Sequence, residues 1–177
     1  MKAIVTFLGS GTSHGVPMIG CTCAVCQSTD PRDRRSRPSI HINVESGPSI
    51  LVDTSTDLRQ QVLSNGISRV DAILFTHSHA DHVMGLDDVR RFNVMQGGAI
   101  PAFADERTAD DLRRTFSYIF NPATEKGGGI PQIALATITG PFNIGDVRIQ
   151  PVPLFHGKRP ILGKNSDVKF LATWGHH

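Results

Sequence analysis

His77-Ser78-His79-Ala80-Asp81-His82 places three imidazoles and one carboxylate within six consecutive positions. Neutral imidazole nitrogens and carboxylate oxygens are the usual ligands of zinc and its transition-series neighbours, and a catalytic site keeps its protein ligands few so that water fills an open position. On extended or tightly turning backbone His77 and His79 project to one side, whereas Asp81 and His82, entering the next turn, diverge toward a second ion. The spacing therefore points to a pair of metals. A competing reading is a histidine-rich loop that binds metal adventitiously. What precedes the run opposes it: residues 71–76 (Asp-Ala-Ile-Leu-Phe-Thr) form a short apolar stretch of strand character, and loops at the carboxyl ends of buried strands are where α/β proteins put their chemistry. The fold must bury that strand and leave its end open.

A chain of 177 residues with 39% hydrophobic and 19% charged residues fits one globular domain over 1–177 with a core of its own. Apolar patterning and turn residues predict strands over 3–8, 40–45 and 49–53, the latter two joined as a hairpin by Ser46-Gly47-Pro48. A helix opens at Thr54-Ser55-Thr56-Asp57 and runs to about residue 65, with Gly66 closing it. Further helices are expected over 86–96 and 110–120, the latter carrying Leu112, Phe116, Ile119 and Phe120 at helical spacing as core residues. Strands are expected over 100–104, 132–138 and 147–154, after a Gly-rich loop over 121–131. His41 reads as a structural residue on the polar side of its strand rather than a ligand.

Net charge is only +2, so nucleic-acid binding would have to rest on a local cluster such as Arg32-Asp33-Arg34-Arg35-Ser36-Arg37, whose favoured reading is a solvated loop. The glycines of 9–17 let backbone approach something closely, but the Lys-Ser/Thr ending of a nucleotide-binding P-loop is absent. No run approaches the ~18 apolar residues of a membrane span, and Met1-Lys2 leads directly into a strand, so the expected compartment is the cytoplasm, without a membrane partner. All three cysteines fall in Cys21-Thr22-Cys23-Ala24-Val25-Cys26. Thiols this close rarely pair in an oxidised domain, whereas C-x-C-x-x-C thiolates converge readily on one soft ion. A structural zinc on Cys21, Cys23 and Cys26, with a fourth ligand from elsewhere, is therefore expected; the alternative is three reduced thiols in a loop.

With these residues in view, the chain resembles the metallo-beta-lactamase superfamily: Thr76-His77-Ser78-His79-Ala80-Asp81-His82 matches its signature at every defining position, followed by Gly85-Leu86. The opening Phe7-Leu8-Gly9-Ser10-Gly11-Thr12-Ser13-His14-Gly15-Val16-Pro17 and Gly20-Cys21-Thr22-Cys23-Ala24-Val25-Cys26 are similar to the phosphodiesterase branch of PhnP-like proteins, a looser relative of ribonuclease Z. The resemblance implies an α/β (α+β) domain of the αββα sandwich type, with the cysteine knuckle at 21–26 inserted after the first strand. It implies a binuclear site with His77, His79 and His156 on the first ion, zinc or manganese, and Asp81 and His82 on the second, with Asp81 also orienting the attacking water. Asp53 would then hold the histidine loop by hydrogen bonds rather than bind metal. Relatives are often homodimers, and by that analogy this chain is a candidate for one.

Family members carry, beyond the position of His156, a strand ending in a bridging aspartate, a last histidine for the second ion and the histidine that completes the cysteine site. Lys164-Asn165-Ser166-Asp167-Val168-Lys169-Phe170 and Trp174-Gly175-His176-His177 match none of these, and Asp167 follows His156 too closely. The resemblance thus implies a sandwich truncated in its C-terminal half. The leading functional expectation is a metal-dependent hydrolase acting on cyclic phosphate or nucleotide-type diesters as small-molecule substrates. The alternatives are a non-catalytic metal-binding remnant, and a lactone or thioester hydrolase on the same fold.

Overall fold

A strand that delivers candidate ligands at its carboxyl end stays in place only if both of its faces are covered, and β4 (Ala72–Leu74) is buried at every residue. The computed structural model describes residues 2–124, 129–156, 159–166 and 170–172. In it β4 lies inside a six-stranded sheet whose spatial order follows the chain: β1 (Ala3–Gly9), β2 (Ser39–Val44), β3 (Ser49–Val52), β4, β5 (Ile100–Ala104) and β6 (Ile133–Thr137). β1, β2 and β3 pair antiparallel, and β3 to β6 pair parallel. Parallel neighbours need crossover connections, and helices supply them: α1 (Leu58–Ser64) between β3 and β4, α2 (Ala80–Val83) and α3 (Arg90–Gln96) between β4 and β5, and α4 (Glu106–Thr115) and α5 (Ser117–Phe120) between β5 and β6.

The strand period of two assigns each face its own core. Leu51, Ile73 and Ala102, paired across β3, β4 and β5, face the helices and pack with Leu58, Val83, Leu86, Phe92, Leu112 and Phe116. Ile50, Ala72 and Leu74 face the other way and pack with Ile144, Val147 and Ile149 of a second sheet. That sheet is antiparallel, in the order β10 (Phe170–Ala172), β9 (Arg159–Ser166), β8 (Val147–His156), β7 (Phe142–Ile144). Phe103 and Phe142 stack between the two sheets with ring centroids 4.5 Å apart. One helical layer and two facing sheets agree with the expected mixed α/β sandwich. Among the described residues no helix is long and apolar enough to cross a membrane.

Several elements depart from the sequence-based expectation. The first helix begins only at Leu58, because the Asp57 carboxylate accepts from the Arg37 backbone N–H and pairs with its guanidinium, both at 2.8 Å, instead of capping. The 86–96 helix opens with a tighter 3-10 turn, Leu86–Val89, before α3, and ends at Gly97 in the left-handed region. The 110–120 helix is two: α4 starts earlier, where the Asp105 side chain accepts from the Thr108 N–H at 2.6 Å, and the chain breaks at Phe116. Phe116 is buried there and Ile119 and Phe120 pack against the same core, as their apolar character required. The short β7 and the strands β9 and β10 had no clear sequence signal. His41 is not on a polar face: only 9% exposed, it shares a register with buried Leu51, and its Nε2 lies 2.7 Å from Ser49 Oγ. Asp167, His176 and His177 lie outside the described residues.

Gly85 allows the chain after α2 to press on the β3–α1 connection. A Cβ there would sit 2.1 Å from the Ser55 carbonyl oxygen and 2.8 Å from Leu58 Cβ, and backbone on one side leaves nothing flexible to yield. Gly85→Ala should cost about 1–3 kcal/mol of stability, as overpacking does, and thermal unfolding of the two proteins checks it. Burial holds the His41 imidazole below its ordinary value of 6.5. The unfolded chain then binds more protons in the window just below that value, so this group's contribution is full above pH 6.5 and is lost as pH falls through the window. A melting-temperature series in buffers of falling pH should show a shallower acid decline for His41→Gln than for the natural chain.

Candidate metal centre

The histidine run begins two residues after Phe75, which follows β4 and is fully buried, and it is anchored by a carboxylate just beyond the neighbouring strand β3. Asp53 follows β3 with φ +61°, a left-handed conformation that costs a non-glycine residue on the order of 1 kcal/mol. The turn drives its side chain, 4% exposed, under the loop. There Oδ1 accepts from the Thr76 N–H at 2.8 Å, and Oδ2 accepts from the Thr76 hydroxyl and from His82 Nδ1, each at 2.7 Å. Asp53 thus behaves as the resemblance implied, as a hydrogen-bond anchor for the loop.

This anchor decides which imidazole nitrogens remain available. Thr76 Oγ1 spends its proton on Asp53 and so accepts from His77 Nδ1, 3.0 Å away, which makes His77 Nε2 the acceptor nitrogen of the ring. His82 commits Nδ1 to Asp53, and its Nε2 lies 3.4 Å from Asp81 Oδ2. Burial works against the charged imidazole of His82, but the hydrogen bonds to Asp53 and Asp81 outweigh it and raise its pKa to about 10. Burial likewise disfavours the Asp81 carboxylate, and His82 more than offsets this, leaving Asp81 below its usual range. His77 Nε2 and His79 Nδ1 stand 3.0 Å apart, and the His77 and His82 rings lie 4.1 Å apart between centroids. A tetrahedral ion about 2.0–2.1 Å from two nitrogens would hold them ~3.3 Å apart, so the His77 and His79 pair fits a cation with adjustments of a few tenths of an ångström.

Backbone contacts lock the loop from behind. Thr54 donates its N–H to the His82 carbonyl at 2.8 Å and its hydroxyl to the Val83 carbonyl at 3.1 Å, and accepts from the Gly85 N–H at 3.0 Å. From the opposite side the Ser78 hydroxyl donates to Asp111 Oδ2 of α4 at 2.5 Å. Thr76 was legible as part of the motif but not as the relay between Asp53 and His77. Asp111 had no signal at all, being one acidic residue of an amphipathic helix.

His156 is the last residue of β8, paired with Arg159 on β9; its side chain lies outside the described residues. The turn before β8, Gly145-Asp146, lines one groove with Pro48 and Asp71, just ahead of β3 and β4. β8 therefore starts beside the amino ends of β3 and β4. Cys21, Cys23 and Cys26 are brought together as expected, with all three sulfurs within 4.8 Å of one another. Zinc bonds to sulfur of about 2.3 Å in a tetrahedron place sulfurs ~3.8 Å apart, so this trio also fits an ion, and among the described residues no histidine or carboxylate joins it. The Cys26 N–H donates to Cys23 Sγ and, with a side-chain bond to Cys21, lowers the Cys23 thiol to about 7. A cavity of about 330 Å³ beside Cys21 is lined by His14, Met18, Ile19, Gly20 and Arg37.

Comparison with known proteins adds family to geometry. The model of the beta-lactamase superfamily domain matches residues 49–172. A diphosphatase of the PhnP family, known from its crystal structure, is 43% identical with a TM-score of 0.83, over 94% of this chain and 62% of its own. The short form of human tRNase Z shares the fold, with a TM-score of 0.63 at 17% identity over 93% of this chain and 63% of its own. The octanoyltransferase of Porphyromonas gingivalis (strain ATCC BAA-308 / W83) is 40% identical over 166 residues, which is 93% of this chain and 33% of that protein. The chain thus spans a third of that curated relative and somewhat under two thirds of the two solved structures. With the signature histidines seated at the end of β4, an aspartate from β3 beneath them and the domain match covering both, the chain belongs to the metallo-beta-lactamase superfamily, as a PhnP-like member.

Proposed function

We propose that this chain belongs to a metal-dependent hydrolase that cleaves phosphodiesters, with His77, His79 and His156 on one divalent ion and Asp81 and His82 on a second. The observation that carries the reading is the Asp53–Thr76 network, which holds the His77 and His82 rings by their Nδ1 atoms beside the Asp81 carboxylate. Such ions, when bound, activate water as a nucleophile at neutral pH and offset the charge that develops on phosphoryl oxygens. The chain's own groups do the rest. Asp53 keeps His82 oriented, Thr76 keeps His77 in one tautomer, and Asp81 accepts a hydrogen bond from the incoming water and so aims it. Zinc and manganese both suit imidazole with carboxylate.

The likeness to a PhnP-family diphosphatase supports phosphorus as the atom attacked, and it favours a second substrate reading, a diphosphate bond in place of a diester. A lactone or thioester substrate and a non-catalytic role are the readings against which the proposal is tested. Hydrolysis of an aryl phosphodiester, a dinucleoside diphosphate and a lactone by protein loaded with manganese or zinc separates them. Diester turnover supports the proposal, diphosphate turnover alone moves it to the second reading, and lactone opening alone or no turnover with both ions bound refutes it. The cysteine trio is proposed to hold one structural zinc apart from this chemistry. A small phosphoester is the proposed partner of the site, and a homodimer is proposed for test by sedimentation analysis.

His79→Ala should lower phosphodiesterase turnover at least ~100-fold, since losing a few kcal/mol of transition-state stabilisation has that effect, while zinc bound at the cysteines is retained. Elemental analysis alongside the rate checks both halves. Cys23→Ser replaces a soft charged ligand by a hydroxyl, so zinc content and melting temperature should drop while turnover at low temperature holds; an unchanged zinc content would make the cysteines bystanders.

A further inference from the structure

We infer that Asp111 is a positioning residue for the metal centre, acting through the Ser78 hydroxyl to hold the turn that separates His77 from His79. The inference rests on the ligand assignment proposed above and adds a residue that no motif contains.

Asp53 secures the histidine run near its two ends, at Thr76 and at His82. Ser78 lies between the two imidazoles whose nitrogens stand 3.0 Å apart, and its hydroxyl bonds to Asp111, 33 positions away in sequence, at 2.5 Å. That separation belongs to the short O–H···O⁻ class, about twice as strong as a neutral bond. Asp111 is suited to the part because it stands on a helix rather than a loop. α4 is capped by Asp105 and buries Thr108, Ala109 and Leu112 against the core, so its carboxylate has a fixed origin. The Asp111 side chain is only 21% exposed, and Arg114, one turn on, pairs with its other oxygen. The turn it grips has little support from its own helix: His79 takes the N-cap position of α2 without a side-chain cap bond, and α2 is a single turn. A carboxylate on one side and a second on the other thus hold the histidine loop against two different packed elements. Loosening either broadens the spread of nitrogen positions an ion must gather, and outer contacts of this sort commonly set metal affinity.

The test titrates the full chain with Mn²⁺ alone, a hard ion that prefers nitrogen and oxygen to the thiolates, and follows free ion by electron paramagnetic resonance. Ser78→Ala and Asp111→Ala should each weaken Mn²⁺ binding about tenfold. The double variant should be no weaker than either single one, because both remove the same bond. Asp111→Asn, whose amide oxygen accepts the same hydroxyl, should stay within about threefold of the natural chain. Melting temperatures with chelator present should differ little among the four. Unchanged affinity in Ser78→Ala, losses that add in the double variant, or a chelated-state melting temperature that falls while affinity holds would each overturn the clamp. Ser78→Ala and Asp111→Asn carry the test if Asp111→Ala does not fold. If natural chain and His79→Ala bind Mn²⁺ alike, the ligand assignment fails and the clamp with it; if His79→Ala binds weakly and the Ser78 and Asp111 variants bind as tightly as the natural chain, only the clamp fails.

Discussion

One buried carboxylate governs the geometry of this molecule's polar end. Asp53 accepts three hydrogen bonds, from Thr76 N–H, Thr76 Oγ1 and His82 Nδ1, in a place that is 4% exposed. Taking an ionised carboxylate out of water costs several kcal/mol unless donors replace the water, so the loop above it is constrained to supply them. Asp53 takes left-handed backbone directly after β3, and its side chain lies under the end of β4, where Thr76 meets it. Strain at one residue is offset by three short bonds, and the result is a loop in which His77 is held in one tautomer and His82 keeps Nδ1 on Asp53. Thr54, the residue after it, extends the same control to the backbone of α2.

Much of this was legible in the sequence because it is local. The ligand run, the apolar strand before it and the C-x-C-x-x-C knuckle are each contained in a few consecutive residues, and local spacing is what a sequence displays directly. Strands β2, β3, β5 and β6 were found within a residue or two, since alternation and turn residues mark them. The αββα expectation came from the resemblance, and the facing sheets and helical layer agree with it.

What escaped was set by contacts between distant segments. Residues 54–57 looked like the opening of a helix, yet the helix starts at Leu58 and Asp57 serves Arg37, 20 positions earlier. His41 looked solvent-facing because its strand alternates, yet the helices cover that face and Ser49 gives its ring a buried partner. The split between α4 and α5 follows from the need to keep Phe116, Ile119 and Phe120 on one core, a constraint of tertiary packing that helical periodicity alone does not express. Ser78 and Asp111 fall in the same class: each is unremarkable in its own segment, and only the fold makes them neighbours.

The two sheets bring a consequence of another kind. His77 and His79 hang from the six-stranded sheet, whereas β8, which ends at His156, belongs to the four-stranded one. The ligand set proposed above draws on both and would bridge the seam of the sandwich, which would make the gap between the sheets a gauge for the metal centre. That gap is filled by Leu74, Ile149 and the stacked rings of Phe103 and Phe142, 4.5 Å apart. Under that proposal, apolar side chains that never touch an ion would set how far apart its ligands stand, and a change of one methylene in that layer would reach the coordination geometry by way of the sheets.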